Sequence, residues 1–311
     1  MHKKISVGLT VTISVIVLVI TAVFTTIITM TAYSKIVSDI PEREHMYDSI
    51  SQIDTLVRNN YYGDVDENAV NSSIAQGYLN ALDGYNEILS KEEYEQYKLE
   101  NSGIDENGNA IKTVTYKKFG TSGYVKFHGF NDNTAEEFKN AYDVLMSNSV
   151  TSIILDVRNT DSINIQAAVD IIDMIVPIAS DGTGAIATAK GKDGEAIKVF
   201  SSDSDSISMP IAVIVNRNTS GAGELIACDI RDFGKGSVVG ETTKGNCTYQ
   251  QIFELSDGGA VILTVAELIP YMSSSYNSVG VIPDYTSVQA EQTDDLNSDT
   301  QFLQAYALVM S

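Results

Sequence analysis

Ile211-Ala-Val-Ile-Val-Asn-Arg-Asn-Thr-Ser-Gly-Ala-Gly-Glu-Leu225 is the stretch on which the fold turns. Its first five residues are an unbroken apolar run, the pattern of a strand covered on both faces. Small and polar residues follow to Gly221, and helical periodicity begins near Ala222 and continues to Phe233. A strand, a tight turn and a helix start make a common mount for a nucleophile, because the free N–H groups of the first helical turn can stabilise an oxyanion. Taken alone, the pattern also serves as a plain strand–helix connection in many α/β folds.

Upstream and downstream the texture is the same. The spacing predicts strands over Tyr124–Phe127, Ser152–Val157, Ala185–Ala189, Ser237–Gly240, Tyr249–Leu255 and Ala260–Leu268, with helices over Thr134–Ser147 and Ile165–Ile175 between them. Alternating strands and helices specify an α/β core with a largely parallel or mixed sheet. Before it, Ile50, Ile53, Leu56 and Val57 mark one helix and Val70, Ile74, Tyr78, Leu79 and Leu82 a second. Ser90 followed by Glu93 is a capping-box signal for a third. A last helix follows Ser298-Asp299 and runs to Met310.

Ile5 to Ala32 contains no charged residue. As a helix rising about 1.5 Å per residue it would extend roughly 42 Å, more than the apolar thickness of a bilayer. Lys3 and Lys4 precede it, so the positive-inside tendency leaves a short stub inside and everything after Tyr33 outside. The organisation expected is a stub (1–4), a transmembrane anchor (5–32), a linker (33–45) and a helical subdomain (46–100). A connector (101–122), the α/β core (123–290) and a C-terminal helix (291–311) complete it.

With 41 acidic against 20 basic residues the formal net charge is −21, which argues against nucleic acid as a partner. Cys228 and Cys247 are the two cysteines and could pair; His2, His45 and His128 are the histidines. No metal or cofactor site is read from so few ligands, and a Ser-His-Asp arrangement is disfavoured.

Motif order along the chain resembles the S41 family of serine peptidases, the C-terminal processing or tail-specific peptidases. The residues that carry the resemblance are Asn60-Tyr-Tyr-Gly-Asp-Val-Asp66, Gly77-Tyr-Leu-Asn-Ala-Leu-Asp-Gly-Tyr85, Gly123-Tyr-Val-Lys-Phe127, Ile154-Leu-Asp-Val-Arg-Asn159, Asn218-Thr-Ser-Gly-Ala-Gly-Glu-Leu225, Gly240-Glu-Thr-Thr243 and Gly280-Val-Ile-Pro-Asp284. The resemblance implies a ClpP/crotonase-like core, a serine nucleophile, a lysine general base and a glutamine four residues beyond the lysine. Aligned on Glu224, the nucleophile position falls on Gly221; the base position falls on Asn246, while Gln250 keeps the glutamine position. The oxyanion turn that the family builds with glycines reads Ser162-Ile163 here, with Ala222 following the nucleophile position. Many relatives insert a PDZ domain where residues 101–122 form a short connector.

These departures imply a pseudoprotease that binds a peptide, a protein C-terminus or a membrane-associated protein partner. The alternative is a live protease whose dyad has shifted to Ser220 and Lys244.

Overall fold

The computed structural model describes residues 40–177, 184–202, 206–288, 293 and 295–311, with helical residues at 17, 20, 21, 23–26 and 29. The apolar segment 5–32 lies largely outside the described residues. Among the described residues no helix is long and apolar enough to cross a membrane. The chain divides into two compact units, Met1–Asn71 and Ser72–Ser311.

In the first unit, α1 (Ile40–Asn60) starts inside the stretch expected to be a linker. Arg58 in its last turn reaches Glu67 through two bonds of 2.7 and 2.9 Å, and Asp66 caps α2 (Glu67–Asn80) by accepting from the backbone of Asn68 and Ala69. All of these groups are exposed, so they set local geometry more than stability.

In the second unit the first strand is β1 (Glu87–Leu89), three residues that show no strand pattern in the sequence. It pairs antiparallel with β12 (Ala260–Pro270), Glu87 opposite Ile262. This pairing joins the segment that follows α2 to a core sheet. Helix α3 (Lys91–Asn101) carries the capping box: Glu93 N–H donates to Ser90 Oγ, and Ser90 N–H to Glu93 Oε2.

The main sheet has six strands. Antiparallel β2 (Val114–Phe119) edges β3 (Ser122–Phe127); β4 (Ser152–Asp156), β8 (Ile211–Val215), β10 (Gly236–Gly240) and β13 (Tyr285–Thr286) extend it in parallel. Every residue of β4 and β8 is buried, the consequence of covering on both faces. Alternation along the strands sorts the cover. Leu155, Val213 and Val215 face a core that includes α4 (Thr134–Ser147), α5 (Ile165–Ile175) and α6 (Ala222–Asp232). Ile154, Ala212 and Ile214 face α7 (Thr300–Val309) through Phe302 and Ala305. A second, antiparallel sheet contains β6 (Ala185–Lys190), β7 (Ala196–Ser201), β11 (Thr248–Glu254), β12 and β1.

Helix α7 is bolted to the sheet by a buried ionic cluster. Arg158 donates to Asp156 (2.8 and 2.6 Å), to Asp299 (2.7 Å) and to Gln301 (2.9 Å), and Tyr124 donates to Asp156 at 2.5 Å. Burial together with the Asp156 charge pushes the Tyr124 hydroxyl far above its usual range. The cluster is structural: it adds ionic ties to the apolar packing of the last helix on the strand that leads to the site.

Candidate active site

Two loops leave the carboxyl ends of neighbouring parallel strands, the place where α/β sheets present their ligand sites. The loop after β4 leads to β5 (Asp161–Ser162), and the loop after β8 leads to β9 (Ser220–Gly221). Asparagines lace them together: Asn216 Nδ2 and Asn218 Nδ2 each donate to Asn159 Oδ1 at 2.9 Å, and Asn159 N–H returns a bond to Asn216 Oδ1 at 3.1 Å. Ser220 N–H donates to the Thr160 carbonyl at 2.8 Å, and β5 and β9 then run parallel with Ser162 opposite Gly221.

Gly221 sits at φ 59 and ψ −110, at the sharp bend between β9 and α6. L side chains are strained in that conformation, and nucleophile turns are a known place where such strain is kept. A Cβ built on Gly221 would lie 3.6 Å from Asn246 Nδ2, so the two positions assigned by motif order do face each other. The same Cβ would lie 2.2 Å from the carbonyl oxygen of Ser162. A backbone carbonyl therefore occupies the space of the side chain that Gly221 lacks. It also presents a negative dipole where an oxyanion site needs N–H donors.

Asn246 is buried and its amide carbonyl accepts from Thr248 Oγ1 at 2.5 Å; Thr248 accepts from Gln250 Nε2 at 2.6 Å. Gln250 Oε1 is buried without a hydrogen-bond partner, and so is Ser220 Oγ. A buried acceptor left unpaired costs on the order of 1–3 kcal/mol. Gln250 is thus linked to Asn246 through Thr248, with its own amide oxygen left unpaired.

Glu224 does more than mark the start of its helix. It is fully buried in the first turn of α6, and its carboxylate accepts from the N–H groups of Gly221 (2.9 Å), Gly245 (2.6 Å) and Asn246 (2.8 Å), and from the Thr243 hydroxyl. One side chain thereby ties the nucleophile turn to the base loop. Full hydrogen bonding is what makes a buried carboxylate tolerable. The sequence signal was a glutamate at the third helical position, half of a capping box.

Ser220 Oγ makes no hydrogen bond to Lys244. Lys244 is exposed, its Nζ bonds Asp161 Oδ2 at 2.6 Å, and it lies 5.2 Å from the centre of the Tyr85 ring. The bond to Asp161 raises its pKa, the opposite of what a lysine base requires. Cys247 is buried, its Sγ donates to the Leu268 carbonyl at 2.9 Å, and burial pushes its pKa up to about 11. Cys228 is also buried and free. Cys228, Asp229 and Asp232 lie within reach of a shared cation, yet Asp232 is already taken by Ser273 Oγ and the N–H groups of Met272 and Ser273, and Arg231 reaches the Cys228 sulfur at 3.9 Å. This group anchors the 271–273 turn to α6.

Beside the β5 turn a cavity of about 790 Å³ opens, lined in part by Ser162 and Ile163 and by side chains of β1 and α3. Ile163 is half-buried at its edge, and Ala222 is fully buried at the start of α6.

Known proteins are similar to this chain in sequence and fold. The chain is 33% identical over 165 residues to the chloroplastic C-terminal processing peptidase of Tetradesmus obliquus, a match covering 52% of this chain and 34% of that protein. A solved photosystem II D1 C-terminal processing protease superposes with a TM-score of 0.54 at 28% identity, covering 61% of this chain and 52% of that one. A lipoprotein from Streptococcus agalactiae shares the fold at a TM-score of 0.61 and 17% identity, over 79% of this chain and 83% of its own. The chain thus spans about a third of the length of the curated relative that it matches. Residues 121–287 match the model of peptidase family S41 and include both laced loops, the Gly221 turn and the Glu224 tie, so this chain belongs to peptidase family S41.

Proposed function

We propose that this chain is a membrane-anchored, extracytoplasmic member of the family with a ClpP/crotonase-like core that binds a peptide or a protein C-terminus without cleaving it. The observation that carries the reading is the pairing of Gly221 with Asn246, since neither residue has an atom that can attack a carbonyl or take a hydroxyl proton. The Ser162 carbonyl at the Gly221 turn and the tie of Lys244 to Asp161 support it. Anchoring through residues 5–32 is supported by the exposed apolar side chains of Val17, Ile20, Val23 and Phe24. It is supported too by Thr21, Thr25 and Thr29, whose hydroxyls all bond the carbonyl four residues back, as a lipid environment demands.

The test is incubation of the full chain in detergent with unstructured peptides and with a serine-directed fluorophosphonate probe. The reading expects bound but uncut peptide and no labelling. Turnover that disappears with a single side-chain substitution would overturn it.

A second reading is proteolysis, which the names of the relatives favour, with Ser220 and Lys244 as its dyad. It expects cleavage that is lost in both Ser220→Ala and Lys244→Met; cleavage surviving either change would eliminate it.

A further inference from the structure

We infer that the cavity beside the β5 turn selects a peptide carrying a basic side chain, lysine or arginine, close to the point where the chain passes Gly221. This rests on the peptide-binding reading above and specifies which peptide. A volume of about 790 Å³ is ample for one long side chain together with its backbone. Tyr85, Tyr97 and Phe130 supply apolar and aromatic wall for a methylene stem. Glu87, Glu100 and Asp161 supply carboxylates, and no lysine or arginine lines the cavity.

The charge is balanced from nearby at Asp161 alone of the three lining carboxylates. Asp161 is paired with Lys244, whereas among the described residues no ion pair joins Glu87 or Glu100 to any cation. Glu100 takes only a neutral bond, from Gln96 Nε2 at 2.7 Å. The structure also contains an example of what this wall binds: the Lys244 ammonium sits between the Asp161 carboxylate and the face of Tyr85. An ammonium or guanidinium on an incoming peptide would meet the same two kinds of group, carboxylate and aromatic face, on the other carboxylates and on Tyr97. A neutral side chain of equal length would fill the cavity but leave the carboxylates unpaired. An acidic one would be repelled by them and by the whole chain's net charge of −21.

The experiment uses the full chain and fluorescein-labelled octapeptides of glycine, alanine and serine with a free carboxyl terminus. Lysine, norleucine or glutamate is placed at each of the last four positions in turn, and binding is read by fluorescence anisotropy. At one position the lysine peptide should bind about tenfold more tightly than the norleucine peptide, the sum expected of partly exposed ion pairs and a cation–aromatic contact. That preference should shrink in 0.5 M salt, as screening requires. In the double variant Glu87→Gln, Glu100→Gln it should vanish while the norleucine peptide binds both proteins alike. Equal binding of lysine and norleucine peptides at every position would overturn this inference and leave the peptide-binding reading intact, as would a lysine preference that survives in the double variant. Failure of every peptide to bind would instead overturn the peptide-binding reading itself, and this inference with it.

Discussion

Restoring the two reactive residues, Gly221→Ser with Asn246→Lys, is expected to give a destabilised protein that does not cleave. A side chain at φ 59 and ψ −110 carries about 1–3 kcal/mol of backbone strain. Its Cβ would stand 2.2 Å from the Ser162 carbonyl oxygen, more than about 1 Å inside ordinary contact, and relieving an overpacked site costs about 1–3 kcal/mol more. Together these amount to about 2–6 kcal/mol, or roughly 5–20 °C in Tm for a unit of this size. Moving the carbonyl requires freedom in the β5 turn, so adding Ser162→Gly and Ile163→Gly to the pair should recover part of the lost Tm and admit labelling by a fluorophosphonate. Thermal unfolding and probe labelling of the double and quadruple variants, side by side, are the assay. A double variant that melts like the parent and cleaves peptide would refute the argument, because it would mean that the Ser162 carbonyl does not obstruct the site.

Other consequences follow from the same geometry. Glu224→Ala removes the acceptor of three buried N–H groups and a hydroxyl; at about 1–3 kcal/mol for each donor left unpaired, it should lower the urea midpoint more than any other single change in the site, even where packing relaxes. Arg158→Met leaves Asp156 and Asp299 as buried, uncompensated carboxylates and should cost about 3–5 kcal/mol in denaturant unfolding, with α7 the first element to lose hydrogen-exchange protection. Cys247 should resist iodoacetamide at pH 8 in the native chain and react at once in urea. Because burial raises its pKa from 9.0 to about 11, its contribution to stability is complete below pH 9 and is lost as pH rises from 9 towards 11, an effect of roughly 3 kcal/mol that Cys247→Ala should remove from the pH profile of unfolding.

Periodicity and motif spacing by themselves determined the α/β core, most strand and helix positions and the capping box at Ser90, while the assignment of Gly221 and Asn246 to the reactive positions came from the family resemblance. Those features are local. A buried parallel strand is apolar throughout, a helix repeats every 3.6 residues, and a capping box spans four positions. Tertiary structure alone decided the rest, because each remaining feature joins segments that are distant along the chain. Three-residue β1 has too few residues for a pattern and exists only by pairing with β12. Lys244 could be a base or a solvated charge until Asp161 is seen bonded to it. Glu224 is a common first-turn glutamate until Thr243, Gly245 and Asn246 close on its carboxylate. The Ser162 carbonyl beside Gly221 is a matter of backbone direction in a paired two-residue strand, and side-chain identity does not encode it. The residue types at positions 221 and 246 are thus local facts of the sequence, while the close approach of the Ser162 carbonyl to Gly221 comes from how two loops pack against each other.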